Sequence, residues 1–199
     1  MPRRPKAPSP SWRSFLRNHT AGIAAIDMVI VVTATFQLLY VLVVLGHDRR
    51  KIIHLGVTRQ PSAGWLARQI TEAFPWDSAP RYLLRDRDAA DGLRFRNRLQ
   101  AMSIEEVVTA PRSSWQNAYV ERVIGSIRRE CLDHILIVNE RHLRRVLASY
   151  VAYYHQSRTH LSLDRDCPEP RPIQPPGFGT VIARPPVGGL HHRYERVAA

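Results

Sequence analysis

Residues 22–46 read GIAAIDMVIVVTATFQLLYVLVVLG, and Asp27 is the one charged side chain among them. Most of the other residues are β-branched or otherwise apolar, a composition that favours buried strands. Thr33, Ala34 and Thr35 divide the run into two pieces of strand length. We therefore predict two adjacent buried strands, 22–32 and 37–45.

The same stretch allows a second interpretation, a membrane anchor. Residues 28–46 are long enough to span a bilayer, and the chain before them is basic. Asp27 at one end and Gln37 near the middle argue against a membrane helix, as does the β-branched composition. A small membrane-anchored protein is the least favoured hypothesis, and we expect no membrane partner.

The charge of the chain indicates a polyanionic partner. The 199 residues include 29 Lys and Arg against 17 Asp and Glu, a formal net charge of +12. Such a surplus suits nucleic acid or an anionic membrane surface. The two cysteines, Cys131 and Cys167, do not form a C-x-x-C pair, which excludes a disulfide scaffold and a cysteine-rich zinc finger. We expect a cytoplasmic protein.

Beyond the first two strands, strand and helix patterns alternate. Strands are predicted at 51–57, 81–85 and 104–109, and helices at 62–74, 92–102, around 120–131 and after Asn139. This order predicts an α/β protein with a five-stranded mixed sheet flanked by helices. We predict a basic extended tail at 1–20, a folded core at 21–166 and a Pro-rich C-terminal extension at 167–199.

Three carboxylates stand at places where an acidic side chain needs an explanation. Asp27 interrupts an apolar strand, Asp86 follows a predicted strand directly, and Glu121 begins a basic helix. Each also has an ordinary interpretation: a solvent-facing strand end, a turn residue, or a first-turn acid that complements the helix dipole. Together they could converge on a pair of divalent ions, for which Mg²⁺ or Mn²⁺ suits the oxygen ligands.

The segments around these carboxylates resemble a known family. AAIDMVIV, LLRDRDAADG and SSWQNAYVERVIGSIRREC are similar to the three catalytic blocks of DDE transposases and retroviral-type integrases, with 35 positions between Asp86 and Glu121. HQSRTHLSLDRDCP resembles the segment that closes this core in bacterial insertion-sequence transposases. The resemblance runs from about Trp12 to the C-terminus.

The resemblance implies an RNase H-like fold and a catalytic, metal-binding triad of Asp27, Asp86 and Glu121. The Asn-Gly that usually follows the second Asp is here Arg87-Asp88, so Asp88 is an alternative second ligand. The resemblance also matches Arg128 to a basic residue that approaches the DNA end. A solvated surface arginine is an equally good interpretation of Arg128.

Further DNA contacts are expected around the glutamate. Trp115 is either a core residue or, beside Gln116 and Asn117, an aromatic that stacks on unpaired bases. Arg122 and Arg129, with Arg128, make the helix basic and suited to phosphates.

We therefore expect a transposase or integrase core that cleaves DNA and transfers strands with two Mg²⁺ or Mn²⁺ ions. The alternative is a catalytically inactive DNA-binding remnant of a truncated transposase. The expected partners are DNA, further copies of the chain assembled on it, and a separate helix-turn-helix protein encoded upstream, because such transposases usually carry that domain before the core.

Overall fold

A five-stranded mixed sheet organises the chain. The computed structural model describes residues 10–87 and 92–198. The strands are β1 (Ile23–Val32), β2 (Leu38–Gly46), β3 (Ile52–Thr58), β4 (Tyr82–Arg85) and β5 (Glu105–Val108). They lie in the order β3-β2-β1-β4-β5, with β1 to β3 antiparallel and β1, β4 and β5 parallel. The predicted mixed sheet is confirmed.

The apolar stretch 22–46 forms the hairpin at the centre of this sheet. Its two strands pair in register from Ala24 opposite Gly46 to Val32 opposite Leu38. Alternate side chains enter opposite faces, so that Val41 and Val43 pack on one side and Leu42 and Val44 on the other. The membrane interpretation is wrong for this segment. Among the described residues, no helix is long and apolar enough to cross a membrane.

Helices cover both faces of the sheet. The α-helices of the described residues are α1 (Pro10–His19), α2 (Ala63–Ala73), α3 (Leu93–Ala101), α4 (Ala118–Glu130) and α5 (Glu140–Gln156). Helices α2 and α3 pack on one face, and α1, α4 and α5 pack on the other. The predicted caps are present: the Ser62 side chain accepts a hydrogen bond from Trp65 N, and Asn139 accepts one from His142 N.

The predicted extended tail is wrong over part of its length, because α1 is a helix. Pro10 stands at its start, where proline's missing N–H costs nothing. Trp12, Phe15 and Leu16 follow at helical spacing and pack against the core, with the Phe15 ring 5.1 Å from that of Tyr82. The basic residues at 1–9 lie outside the described residues.

The C-terminal segment is also more structured than its proline content suggested. A second sheet pairs β6 (Thr180–Arg184) with β7 (Arg193–Val197). Between these strands Val187 is buried in the main core, and its backbone N donates a hydrogen bond to Ser149 Oγ of α5. The division of the chain at residues 20 and 166 remains a prediction.

Candidate active site

Asp27 and Asp86, two of the predicted carboxylates, directly follow the segment in which two neighbouring strands pair in parallel. Strands β1 and β4 pair in parallel up to Ile26 opposite Arg85. The next residues are Asp27 and Asp86, which therefore emerge side by side at the carboxyl end of the paired segment. In α/β sheets this edge is where ligands usually bind.

A buried asparagine positions the helix that carries the third carboxylate, Glu121. A short 3-10 helix, Ser114–Asn117, leads into α4. Asn117 is buried, and its Nδ2 donates a 3.1 Å hydrogen bond to the carbonyl oxygen of Ile26, the residue before Asp27. This bond ties the start of α4 to β1. Glu121 follows in the first turn of α4, within electrostatic reach of both aspartates.

The electrostatics of the cluster indicate that the three carboxylates lie near enough to repel one another. The pKa of Asp27 is raised to about 6, chiefly by burial; a hydrogen bond from Met28 N opposes the shift, and repulsion from Asp86 and Glu121 adds to it. The pKa of Glu121 is also raised, first by burial and then by repulsion from Asp86. Such mutual repulsion is what a bound cation would relieve.

Hydrogen bonds restrict two of the carboxylates. Met28 N donates a 2.7 Å bond to Asp27 Oδ1, and the hydroxyl of Thr109 donates a 2.9 Å bond to Asp86 Oδ1. Thr109 is itself anchored, because its backbone N donates to the carbonyl oxygen of Arg85. The residue after β5 thus orients the carboxylate after β4.

The carboxylate oxygens suit a hard divalent ion, but the positions of the side chains limit how many of them can bind one ion. Within residues 10–87 and 92–198, no group of three or more histidine, cysteine or acidic side chains is arranged to hold a metal ion. Mg²⁺ in phosphoryl-transfer sites commonly takes only one or two carboxylates and fills its shell with waters and phosphate oxygens. Electrostatically coupled pairs of carboxylates therefore fit such an ion. The alternative ligand Asp88 lies outside the described residues.

Burial of Asp27 should make the metal-free protein less stable as the pH rises. The folded chain holds the proton up to a pKa of about 6, whereas the ordinary value is 3.8. Between these values the folded state binds more protons than the unfolded state, so the free energy of unfolding falls as the pH rises from about 4 to about 6. We expect Asp27→Asn to remove most of this fall and to stabilise the protein at pH 7 by about 2 kcal/mol.

Urea unfolding in EDTA at pH 4.5 and 7.5 measures this effect. The exposed Asp133 gives a matched control, because Asp133→Asn removes a carboxylate outside the cluster. Equal pH dependence in the wild type and in Asp27→Asn would show that Asp27 is not a buried, repelled carboxylate.

The predicted DNA-contacting residues fall into three groups. Arg122, Arg128 and Arg129 are exposed on α4, as DNA contacts require, and Arg128 donates a 3.2 Å hydrogen bond to the carbonyl oxygen of Ile30. Trp115 and Gln116 are half-buried, and Gln116 Oε1 accepts a bond from Ala110 N. Asn117 differs from the expectation: it is 1% exposed and therefore positions α4.

Sequence reasoning missed an ion pair that joins α4 to the segment after α5. Arg158 donates from Nε and Nη2 to the two carboxylate oxygens of Glu130, both at 2.7 Å. The buried Tyr150 donates its hydroxyl to the same carboxylate at 2.9 Å. Arg158 belongs to the HQSRTH motif, so the motif was the available signal, but nothing in the sequence identified Glu130 as its partner.

Comparisons with known proteins agree with this architecture. Residues 102–168 match the family model of the integrase core domain. The insertion element IS476 uncharacterized 39.2 kDa protein of Xanthomonas euvesicatoria is 27% identical over 146 residues, which are 71% of this chain and 41% of that protein. The chain thus spans less than half the length of this relative.

Solved structures show the same fold. The simian T-cell lymphotropic virus intasome, in complex with PP2A regulatory subunit B56 gamma, includes a chain that matches with a TM-score of 0.61 and 14% identity, over 87% of this chain and 66% of that one. The HTLV-2 integrase catalytic core domain in complex with magnesium, in its dimeric form, matches with a TM-score of 0.60 and 11% identity, over 75% and 94%. The protein therefore has the RNase H-like fold that these integrase structures share. The predicted resemblance to integrase and transposase cores is confirmed.

Proposed function

We propose that this chain catalyses metal-dependent DNA cleavage and strand transfer. The observation that carries the proposal is the position of Asp27 and Asp86 directly after the segment in which β1 and β4 pair in parallel, near Glu121, where burial and then repulsion between the carboxylates raise the pKa of Asp27 and of Glu121. Clustered carboxylates beside exposed arginines are the components of a phosphoryl-transfer site.

In this proposal the carboxylates hold two Mg²⁺ or Mn²⁺ ions. When bound, such ions supply an activated water or DNA 3′-hydroxyl and neutralise charge on the phosphodiester. The chain contributes the positioning: Thr109 orients Asp86, and Asn117 ties the start of α4, which carries Glu121, to the residue before Asp27. The exposed Arg128 lies two turns beyond Glu121 on the same face of α4, where it can bind a phosphate of the DNA.

A second candidate function is DNA binding without catalysis. The absence, among the described side chains, of a group of three arranged to hold a metal favours it. Such a remnant would keep the fold and the positive charge, and would bind DNA with an affinity that falls steeply with salt.

We also propose that several copies of the chain assemble on DNA. The structures that share the fold include an intasome and a dimeric form of an isolated core. The helix-turn-helix partner predicted from the sequence remains a prediction.

One experiment separates the two functions. The full chain is incubated with supercoiled plasmid, with and without Mn²⁺, and its melting temperature is measured in parallel. Catalysis predicts nicked plasmid with Mn²⁺ only, and a melting temperature that rises with Mn²⁺ concentration because the ions bind the folded state. DNA binding in a gel-shift assay with neither nicking nor Mn²⁺ stabilisation would contradict the catalytic proposal and support the second function.

A further inference from the structure

A cavity of about 490 Å³ lies beside α4, on a different side of the helix from Glu121. Its walls come from α4, the end of α5 and the segment that follows α5. The residues that matter for its chemistry are four arginines and two hydroxyl side chains: Arg50, Arg122, Arg129, Arg158, Thr159 and Ser162. We refer to it as the arginine cavity. A volume of this size accommodates a small ligand or one unit of a polymer.

The arginine cavity carries an excess of positive charge. Among the described residues, no acidic side chain lines it. Glu130 lies behind the wall and pairs with Arg158, whereas Arg122 and Arg129 form no ion pair within residues 10–87 and 92–198. The pKa of His160 is lowered to about 4 by burial and then by the neighbouring Arg158, so this side chain is neutral. Three arginines are left to attract an anion.

One of these arginines, Arg50, is held in place by the fold. The guanidinium of Arg50 lies 3.6 Å from the centre of the Tyr119 ring, a cation–π contact. The backbone of Arg50 has a φ of 57°, a conformation that needs support from its surroundings. The hydroxyl of the buried Tyr154 donates a 3.0 Å hydrogen bond to the Arg50 carbonyl oxygen and supplies that support.

The guanidinium of Arg129 lies over Gly125, one turn earlier on α4. A Cβ added at Gly125 would lie 2.9 Å from Arg129 Nη1, so a larger residue there would push this flexible group aside. Arg129 thus folds back along α4 toward Arg122, from which it is separated by seven residues, or about 10 Å of helix. The two side chains can therefore approach a single group bound between them.

We propose that the arginine cavity binds one phosphodiester group of DNA. Arg50, Arg122 and Arg129 contact the phosphate oxygens, and the hydroxyls of Thr159 and Ser162 donate further hydrogen bonds. This assignment rests on the proposed function, because it takes the anion to be DNA.

Arginine-specific modification with phenylglyoxal, read out by mass spectrometry, tests the assignment in the absence of divalent metal. We expect a DNA duplex to protect Arg50, Arg122 and Arg129, and to leave Arg68 and Arg98 unprotected. The last two are exposed on α2 and α3, on the opposite face of the sheet. Equal modification of the cavity arginines with and without bound DNA would overturn the proposal. So would equal protection by inorganic phosphate at the same phosphate concentration.

A pair of double variants gives an independent measurement. Arg122→Ala/Arg129→Ala is expected to reduce the slope of log affinity against log salt concentration by about 2, whereas Arg68→Ala/Arg98→Ala leaves it unchanged. Equal slopes for the two variants would contradict the proposal. Arg122→Gln/Arg129→Gln replaces the first variant if that variant does not fold.

The protection and nicking experiments distinguish the two proposals. DNA protection without Mn²⁺-dependent nicking would refute only the catalytic proposal, and nicking without protection would refute only the proposal that the cavity binds DNA.

Discussion

Glu121→Gln is expected to reduce Mn²⁺-dependent plasmid nicking by roughly a thousandfold or more. The substitution keeps the size and hydrogen-bonding capacity of the side chain but removes the charge that would hold a cation. Loss of metal-assisted stabilisation of a phosphoryl-transfer transition state corresponds to several kcal/mol, and each 1.4 kcal/mol changes a rate about tenfold.

The fold and DNA binding should survive this change. Because Glu121 is partly buried and is repelled by Asp86, removing its charge relieves both costs in the metal-free protein, and it removes a negative charge next to the expected path of DNA. Glu105→Gln, at an exposed position on β5, is the matched control and should nick at the wild-type rate. Nicking by Glu121→Gln within tenfold of the wild type would exclude Glu121 from the catalytic site.

The sequence predicted the sheet well because the strands are strongly patterned. The stretch 22–46 is so apolar and β-branched that burial on both faces is the arrangement that fits it best, and the hairpin follows from the break at Thr33 to Thr35. Asp27 stood out for the same reason, since a carboxylate inside an apolar strand is costly unless it has a role. The predicted strands and helices match the observed ones to within one or two residues at most ends.

The remaining features depend on contacts between distant parts of the chain. Asn117 is polar and follows a loop, which suggests exposure, but its partner is a backbone carbonyl 91 positions away on β1. The pairing of Arg158 with Glu130 bridges 28 positions. Helix α1 was not predicted, because its sequence is basic and resembles a tail. The contacts that stabilise the helix are those of Phe15 and its neighbours with the sheet. Local patterns carry no information about such partners.

The ion pair between Glu130 and Arg158 should contribute more to stability than any exposed pair in the chain. Each side chain is about one quarter exposed, and Glu130 accepts hydrogen bonds from both Arg158 and the buried Tyr150. Arg158→Ala leaves a half-buried carboxylate without its cation and also removes the 3.3 Å hydrogen bond that the hydroxyl of the buried Ser126 accepts from Arg158. We expect a loss of about 2–4 kcal/mol in the free energy of unfolding, since breaking one side of a buried pair is costly.

Urea unfolding of three variants at neutral pH measures this contribution. Arg184→Ala is the matched control: Arg184 pairs with Glu195, but its side chain is 61% exposed, and its removal should change stability by less than about 1 kcal/mol. The double variant Glu130→Gln/Arg158→Ala should be more stable than Arg158→Ala alone, because the carboxylate left without a partner is then uncharged. If the single and double variants unfolded at the same urea concentration, the loss would come from packing of the arginine side chain, and the pair would not be what holds the end of α4 to the segment after α5.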